Sequence, residues 1–370
     1  MKLIETNYEI VKKIQNSFVV SLSNHTNTNL SARILRQAPV CAQTAVAKAM
    51  ALMSFEQTRQ DERNYKQNLK QKFKKIFNIT LALLPIFFIS FSIGNNKTAD
   101  LLIYSYNRPL QLYALLESLE LLVTGIDTIH IIYKTTSERF DNAYDKVHQN
   151  FRTVQFIKQN NDINDFKVLT LRSLSSFKSD YVLFAVDDDI ITDHIDISEC
   201  IDTLEKTQAY AFFFRLGKNI NSSYPFNNAY SPAPPLTHIG NNIFKFQFNA
   251  GTYDWNYPNN VDLTLYRKSD LDILYKINYS NPNQLEAAWA GKRTNIKNPS
   301  GLCFVHSKMI NIPINKVQNV FNNRFMNAAS IQYLLERFDQ GFKIDISKVF
   351  KFNNNAAHTE YMPEFIAREN

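Results

Sequence analysis

Three consecutive aspartates, Asp187, Asp188 and Asp189, follow the apolar run YVLFAV at residues 181–186. The run predicts a buried strand, and ligands of open α/β sheets bind beyond the carboxyl ends of strands. In extended backbone, Asp187 and Asp189 face one way and Asp188 the other. Two carboxylates on one side suit a hard divalent cation that bridges to substrate phosphates. The alternative is a solvated turn after a strand.

A second set of carboxylates lies later in the chain. Aromatic residues flank Asp254 closely in sequence, namely Tyr253, Trp255 and Tyr257. Aromatic faces beside a carboxylate suit a sugar ring, although alternating aromatics also build sheet cores. Glu286, within NPNQLEAAW, is predicted in the first turn of a helix, and such a carboxylate could act as a general base. The helix dipole alone also favours an acidic residue there, and Asp254 and Asp262 are rival bases.

The segment SYNRPLQLYALLESL, residues 105–119, contains a predicted junction between a strand and a helix, which is a further candidate binding site. Asn107 can cap the following helix, and Pro109 suits its first turn. The free N–H groups of the helix would then favour an anion at the sheet edge, and Arg108 adds a positive charge. The alternative is a routine junction without a ligand.

In order and spacing, SYNRPLQLYALLESL followed about 80 residues later by VLFAVDDD resembles the GT-A fold of nucleotide-sugar glycosyltransferases, in particular family 2-like enzymes. The resemblance covers roughly residues 99–365. It implies a donor site for a nucleotide sugar and a site for Mn²⁺ or Mg²⁺. The implied donor-binding residues are Tyr104, Ser105, Tyr106, Arg108, Lys167, Asp187 and Asp188. The implied metal ligands are Asp187, Asp189 and His358. The resemblance also implies that Glu286 takes the proton from the acceptor hydroxyl.

Three features of the sequence leave parts of this resemblance open. Where many members of the family have an aspartate after the second strand to read the base, this chain has residues 134–137, KTTS, so uridine specificity does not follow. Lys167 could pair with a phosphate, or it could be a solvated helix residue. His358 could complete the metal site, or it could be a surface histidine.

The elements that must position these residues alternate in type. Strands are predicted in LLIYSY, TIHIIY, TVQFI and YVLFAV, and helices in LQLYALLESLELL and around 138–150 and 164–176. This alternation predicts a parallel sheet with helices on both faces. Beyond Asp189, AYAFFFRL, IFKFQF and VDLTLY predict further, partly antiparallel strands, residues 217–242 a long loop, and NNRFMNAASIQYLLERFDQG a helix ended by Gly341. The predicted fold is a GT-A-like, Rossmann-type mixed sheet.

The N-terminal region differs in charge from the rest of the chain. Residues 1–75 hold 13 Lys and Arg against 5 Asp and Glu, whereas residues 95–370 hold 28 against 29. The basic run directly precedes an uncharged apolar stretch, residues 76–94, which is long enough to cross a bilayer. We interpret it as a signal anchor that places the protein in a membrane, or as a signal peptide that exports it, with a buried core helix as the alternative. The net charge of +7 therefore indicates association with a membrane and not binding to nucleic acid.

The predicted organisation is a basic, helical appendage at 1–75, the membrane or signal segment at 76–94, and the catalytic domain at 95–370. That domain divides into a nucleotide-binding half at 95–215 and an acceptor half at 216–370. Only 8 glycines are present and no G-x-G-x-x-G or G-x-x-x-x-G-K-[ST] pattern occurs, which argues against a Rossmann dehydrogenase or a P-loop NTPase. The three cysteines are far apart and form no zinc motif.

The sequence thus favours a metal-dependent, inverting glycosyltransferase that moves a sugar from a nucleotide-diphosphate donor to a glycan, lipid or protein acceptor. One alternative is a sugar nucleotidyltransferase, which needs a glycine-rich basic loop that SYNRP does not supply. The other is a catalytically inactive, membrane-tethered carbohydrate-binding protein.

Overall fold

The computed structural model describes residues 97–160, 165–318 and 324–368. Its strands are β1 (Ala99–Tyr106), β2 (Val123–Thr124), β3 (Ile126–Lys134), β4 (Gln155–Lys158), β5 (Tyr181–Val186), β6 (Asp189–Ile191), β7 (Ile195–Asp196), β8 (Ala211–Phe213), β9 (Ser222–Ser223), β10 (Ala229–Tyr230), β11 (Thr237–Gly240), β12 (Ile243–Gln247), β13 (Thr264–Arg267), β14 (Ser300–Phe304), β15 (Met309–Asn311), β16 (Phe342–Ile344) and β17 (Phe365–Ala367). Its α-helices are α1 (Pro109–Leu122), α2 (Glu138–Asn150), α3 (Asp165–Ser176), α4 (Ile197–Thr207), α5 (Ile273–Lys276), α6 (Pro282–Ala290) and α7 (Ile331–Asp339).

A nine-stranded mixed sheet runs through these residues in the order β11-β12-β14-β8-β13-β5-β1-β3-β4. Strands β4, β3, β1 and β5 are parallel, as their alternation with helices predicts. Strand β13 then pairs antiparallel with both β5 and β8, and β12 pairs antiparallel with β14. The predicted mixed α/β sheet is confirmed, and a single sheet spans both of the predicted halves.

Helices cover both faces of this sheet. Neighbouring residues of β1 point to opposite faces, so they pack against different helices. Leu101 and Ile103 belong to a core built with α1, α2, α4 and α7. Leu102 and Tyr104 belong to a second core built with α3 and α6. The carboxyl ends of β1 and β5 therefore meet at an edge of a sheet that is packed on both faces.

Two predicted helix termini differ from the observed ones. The late helix begins only at Ile331, because Ser330 caps it by accepting a hydrogen bond from the Tyr333 amide. It ends as predicted near Gly341, whose φ of 88° is readily adopted by glycine. Asn107 does not cap α1. Its side chain accepts from the Thr136 amide and donates to the Thr136 hydroxyl, which ties the β1–α1 junction to the loop after β3.

Among the described residues, no helix has both the length and the apolar character needed to span a bilayer. The apolar stretch 76–94 and the appendage 1–75 lie outside the described residues, so the domain boundaries at 75 and 94 stay predictions.

Candidate active site

Asp187 lies where β5 ends beside β1, and β1 holds it in place. Its amide donates to the carbonyl of Tyr104 over 3.1 Å. Its Oδ2 accepts from the Ser105 hydroxyl at 2.8 Å and from the Tyr106 amide at 2.9 Å. The carboxylate is therefore fixed at the sheet edge by residues of the predicted SYNRP segment.

Arg108 joins two of the three aspartates. Its Nη1 donates to Asp187 Oδ1 at 3.0 Å and to Asp188 Oδ2 at 2.7 Å. Its Nε and Nη2 donate to the side chain and carbonyl of Asn315. Burial raises the pKa of Asp187 to about 6, and the Arg108 charge opposes that rise. All three guanidinium nitrogens are thus bonded within the protein, so Arg108 contributes to the site by fixing carboxylates.

The predicted alternation of the three aspartates is wrong. Residues 187 and 188 form a turn between β5 and β6, so the backbone is not extended there. As a result, Asp188 shares Arg108 with Asp187 instead of facing away from it. Asp189 is fully buried, and its Oδ2 accepts from the Val186 amide at 3.1 Å.

Asn311, on β15, closes the other side of this turn. Its Nδ2 donates to Asp188 Oδ1 and to Asp189 Oδ1, both at 3.0 Å. The segment after Asn355 docks on the same strand, since the Asn311 amide donates to the Ala357 carbonyl and the Thr359 amide donates to the Asn311 carbonyl. This docking brings His358 alongside Asn311.

Asp262 lies within electrostatic range of Asp188 and Glu286. His358 Nε2 lies 3.7 Å from Asp262 Oδ2. Burial raises the pKa of Asp262, His358 and Arg215 oppose the rise, and the charges of Asp188 and Asp254 add to it. Burial likewise raises the pKa of Asp189 well above its ordinary value, with Asp262 as the next cause. We call Asp188, Asp189, Asp254, Asp262 and Glu286 the carboxylate cluster.

Glu286 projects from α6 toward Asp262. The helix begins at Pro282 with Asn281 as its cap, so Glu286 lies in the second turn. The prediction that it lies in the first turn is wrong. Its Oε1 accepts from the Val261 amide at 2.8 Å. Burial raises the pKa of Glu286 to about 8, and the Asp262 charge adds to the rise. The packing of α6, and not its dipole, therefore sets the chemistry of this carboxyl.

Asp254 is held by a buried cation. Arg215, whose side chain is 1% exposed, donates from Nη1 to Asp254 Oδ1 at 3.1 Å and from Nη2 to the Tyr257 carbonyl at 3.0 Å. The other oxygen, Oδ2, accepts from the Ser223 hydroxyl at 2.6 Å. Both carboxylate oxygens are occupied, so Asp254 is less suited than Glu286 to accept a proton.

The other predicted donor-side residues lie in more structural positions. Tyr104 is 2% exposed in the core, where its hydroxyl pairs with Thr170, so it supports the edge from below and does not line it. Lys167 donates from Nζ to the Ile277 carbonyl at 2.7 Å, and its ammonium group lies over the Tyr279 ring. Both partners of this charge are therefore groups of the protein itself.

The predicted metal ligands do not form a cation site in this arrangement. Carboxylate oxygens and an imidazole are suitable ligands for Mn²⁺. However, both oxygens of Asp187 and of Asp189 already accept hydrogen bonds from protein donors, and His358 lies against Asp262 instead. Within the described ranges, no group of three or more His, Cys, Asp or Glu side chains is placed to hold a metal ion.

Sequence reasoning missed Arg215, Asn311 and Asn315, which organise the site. Arg215 has a signal in the sequence, since it is a lone charge at the end of the apolar run AFFF. The two asparagines have none, because only the pairing of β15 with β6 brings Asn311 to the aspartates.

A cavity of about 420 Å³ lies at the opposite edge of the sheet. Its walls include Asp180 and Tyr181 at the start of β5 and Arg267 and Lys268 at the end of β13. Both cations donate to backbone carbonyls, Arg267 to Ala209 and Lys268 to Phe177. This cavity is therefore separate from the carboxylate cluster.

Comparison with curated proteins gives one relevant relative. The chain is 25% identical over 261 residues to the bifunctional glycosyltransferase pgtA of Dictyostelium discoideum. In sequence, the chain is similar to a glycosyltransferase. The match covers 64% of this chain but only 32% of pgtA, so the chain spans about a third of that relative. No model of a known protein family matches the chain.

Solved structures show more distant likenesses. TarS residues 1–349 from S. aureus gives a TM-score of 0.37 at 12% identity and covers 57% of this chain and 58% of its own. The mannosyltransferase PcManGT from Pyrobaculum calidifontis, in complex with GDP-Man and Mn²⁺, gives 0.31 at 8% identity and covers 52% of each chain. CMP:2-keto-3-deoxy-manno-octonic acid synthetase gives 0.32 at 12% identity, covering 56% and 89%. At these TM-scores the likenesses carry no argument about function.

The raised pKa of Glu286 predicts a pH dependence of stability. Because the folded protein holds this proton more tightly than the unfolded chain, the stabilisation is complete below about pH 4.5 and is lost as the pH rises through about 8. We expect Glu286→Gln to flatten the fall in unfolding free energy between pH 6 and pH 9. Urea unfolding at a series of pH values measures it, with exposed Glu138→Gln as the control. An unchanged pH dependence in the Glu286 variant would contradict the raised pKa of this partly buried carboxyl.

Proposed function

We propose that this chain is an inverting glycosyltransferase that moves a sugar from a nucleotide-diphosphate donor to an acceptor hydroxyl. The observation that carries the proposal is the position of Glu286, a partly exposed carboxyl with a raised pKa that adjoins Asp262. Asp262 in turn lies within electrostatic range of Asp188, which follows the carboxyl end of β5. The similarity of the chain to pgtA supports the same activity.

Glu286 is suited to act as the general base. Its Oε1 is bonded to the Val261 amide, whereas its Oε2 makes no hydrogen bond to any described residue. Oε2 would accept the proton as the acceptor oxygen attacks the anomeric carbon and the bond to the diphosphate breaks. A base is most effective when its pKa lies near the working pH, and a pKa of about 8 meets that condition. Asp262 helps to keep the pKa of Glu286 high.

The β1–β5 edge is the proposed donor side. Ser105 and the Tyr106 amide hold Asp187, and Arg108 compensates the charges of Asp187 and Asp188. The turn at 187–188 is thereby preorganised, so little ordering remains to be done when a donor binds. In this proposal Asp188 and the partly exposed Tyr106 approach the donor, and the buried Tyr104 and Arg108 act through the residues that they support.

Thermal stabilisation by nucleotides tests the donor side. A ligand that binds only the folded state adds about 2.7 kcal/mol to stability at one hundred times its Kd. We expect at least one member of a panel of nucleoside diphosphates to raise the melting temperature of the full chain. If UDP, GDP, CDP and ADP all leave the melting temperature unchanged at millimolar concentration, with and without Mn²⁺, the proposed donor class is wrong.

Dependence on Mn²⁺ or Mg²⁺ stays a prediction. Because Arg108 and Asn311 already bond the aspartates, we expect the protein to bind little Mn²⁺ without a nucleotide. With UDP or GDP present, bound Mn²⁺ should exceed the sum for protein and nucleotide measured separately by EPR. Asp188→Asn should remove the excess, and Asp127→Asn, at an exposed position, should keep it. Equal Mn²⁺ binding with and without nucleotide would contradict this prediction.

Attachment to a membrane through residues 76–94 also stays a prediction. We expect the full chain to sediment with membranes and a variant lacking residues 76–94 to stay in the supernatant while it keeps its nucleotide-induced thermal shift. Sedimentation of both forms would contradict a role of this stretch in membrane insertion.

A further inference from the structure

Two large aromatic side chains lie exposed near Asp254, a member of the carboxylate cluster. Phe226 is 58% exposed and Tyr253 is 41% exposed. Their ring centroids are 4.7 Å apart, and the ring planes meet at 41°. We call this pair the aromatic platform. Its rings contact each other but leave much of their surface to solvent, whereas most of the other aromatic residues in the described part of the chain are buried.

Buried anchors on both sides fix the platform. Tyr253 precedes Asp254, which is bonded to Arg215 and Ser223. Trp255, the next residue, is fully buried and donates from Nε1 to the Ile220 carbonyl. The backbone of Tyr253 has a φ of 47°, a left-handed conformation that costs energy for a non-glycine residue. The packing of its neighbours therefore holds the Tyr253 ring outward.

Phe226 is held toward the same place. It ends a short 3₁₀ helix, Tyr224–Phe226, which starts directly after Ser223, the residue that donates to Asp254. The hydroxyl of Tyr224 donates to Glu360 at 3.0 Å, in the segment that carries His358. The platform is thus tied on one side to Asp254 and on the other to the segment that approaches Asp262.

The surroundings of the platform are polar. Two exposed asparagines, Asn227 and Asn228, follow Phe226 directly, both in the left-handed conformation. Amides supply both donors and acceptors of hydrogen bonds. A lipid chain would need a longer apolar surface than two rings. A pyranose ring, in contrast, has one face of C–H groups, which suit the negative face of an aromatic ring, and a rim of hydroxyls, which suit amides and carboxylates.

We propose that the acceptor is a glycan, and that the sugar ring carrying or adjoining the accepting hydroxyl stacks on Phe226 and Tyr253. This inference rests on the proposed glycosyl transfer, because it identifies the substrate class of the same site. The platform selects a sugar by its apolar face, and Asn227 and Asn228 bond its hydroxyls. Asp254, held by Arg215, fixes the platform relative to Glu286.

Saturation-transfer NMR with methyl glycosides tests this inference without any turnover. The probes are the methyl pyranosides of glucose, galactose, mannose, fucose and N-acetylglucosamine, each with the full chain. We expect transfer to the C–H protons of one ring face for at least one glycoside. Phe226→Ala and Tyr253→Ala should each weaken its binding roughly tenfold, which corresponds to the loss of an aromatic contact worth about 1.4 kcal/mol. Tyr253→Phe should retain binding because it keeps the ring.

Tyr275→Ala is the matched control, since Tyr275 is 48% exposed but lines the cavity at the opposite edge of the sheet. It should leave the transfer unchanged. Absence of transfer from every glycoside, or equal transfer in wild type and both platform variants, would overturn the inference, as would loss in the Tyr275 variant alone. The nucleotide-induced thermal shift is measured on the same samples. A retained shift without glycoside binding would contradict the glycan platform and leave the proposed donor site standing.

Discussion

Replacing Glu286 by glutamine is expected to lower the turnover number by about 10²- to 10⁴-fold, the usual contribution of a general base. The glutamine side chain keeps the shape of the residue, and its Oε1 can still accept from the Val261 amide. It cannot take a proton from the acceptor. The nucleotide-induced thermal shift should therefore persist, because Glu286 lies on the acceptor side of the cluster.

The pH profile of the wild-type enzyme provides a second readout. Glu286 acts only in its ionised form, so turnover should rise with pH and reach half of its maximum near pH 8. Asp254→Asn is the comparison, since both oxygens of Asp254 are already bonded and its loss should act through the platform and the acceptor KM. If Glu286→Gln stays within a few-fold of wild type, the base is Asp262 or Asp254. If it abolishes nucleotide binding as well, Glu286 is a structural residue.

Replacing Arg108 by methionine is expected to destabilise the protein by about 3–5 kcal/mol. The side chain of Arg108 is 8% exposed and pairs with Asp187 and Asp188, which are 5% and 12% exposed. Removing the guanidinium leaves two buried carboxylates close together without a positive partner. Methionine fills much of the space, so the loss reflects charge more than a cavity.

Urea unfolding followed by tryptophan fluorescence measures this loss, because both tryptophans, Trp255 and Trp289, are buried in the folded protein. Arg139→Met is the matched control. Its ion pair with Asp339 has an arginine side chain that is 50% exposed, and such surface pairs contribute at most about 1 kcal/mol. Adding Asp187→Asn to the Arg108 variant should recover part of the loss. Equal destabilisation by the two arginine substitutions would show that Arg108 does not hold the aspartates.

The sheet edge formed by β1 and β5, the proposed donor side, could be predicted from the sequence because its information is local. The apolar run at 181–186 followed by aspartates, and the run before Asn107, determine both the strands and the edge at which their polar residues meet. The conformation within the three aspartates could not be predicted. Three identical residues show no alternation of polar and apolar side chains from which a strand or a turn could be predicted. The turn at 187–188 also depends on partners from distant segments, Arg108 and Asn311.

The proposed acceptor side depends still more on tertiary structure. The sequence presents Glu286 as a candidate base. Its raised pKa, however, arises from burial beside Asp262, which depends on how α6 packs against residues 260–262. Tertiary structure also decides which of the aromatic residues near Asp254 are buried and which are exposed. Trp255 packs in the core as a structural residue, whereas Tyr253 is exposed, although the sequence presents them alike. Phe226 lies in a predicted loop and had no signal that would associate it with Tyr253.

Transfer of a radiolabelled sugar tests the central claim most directly. The full chain is incubated with labelled UDP- and GDP-sugars and with the glycosides used as binding probes, and the products are separated by chromatography. Glycosyl transfer predicts label on the glycoside together with an equal amount of released nucleoside diphosphate, both lost in Glu286→Gln. No labelled glycoside from any donor, together with pyrophosphate release from a nucleoside triphosphate and a sugar 1-phosphate, would contradict it and identify a nucleotidyltransferase.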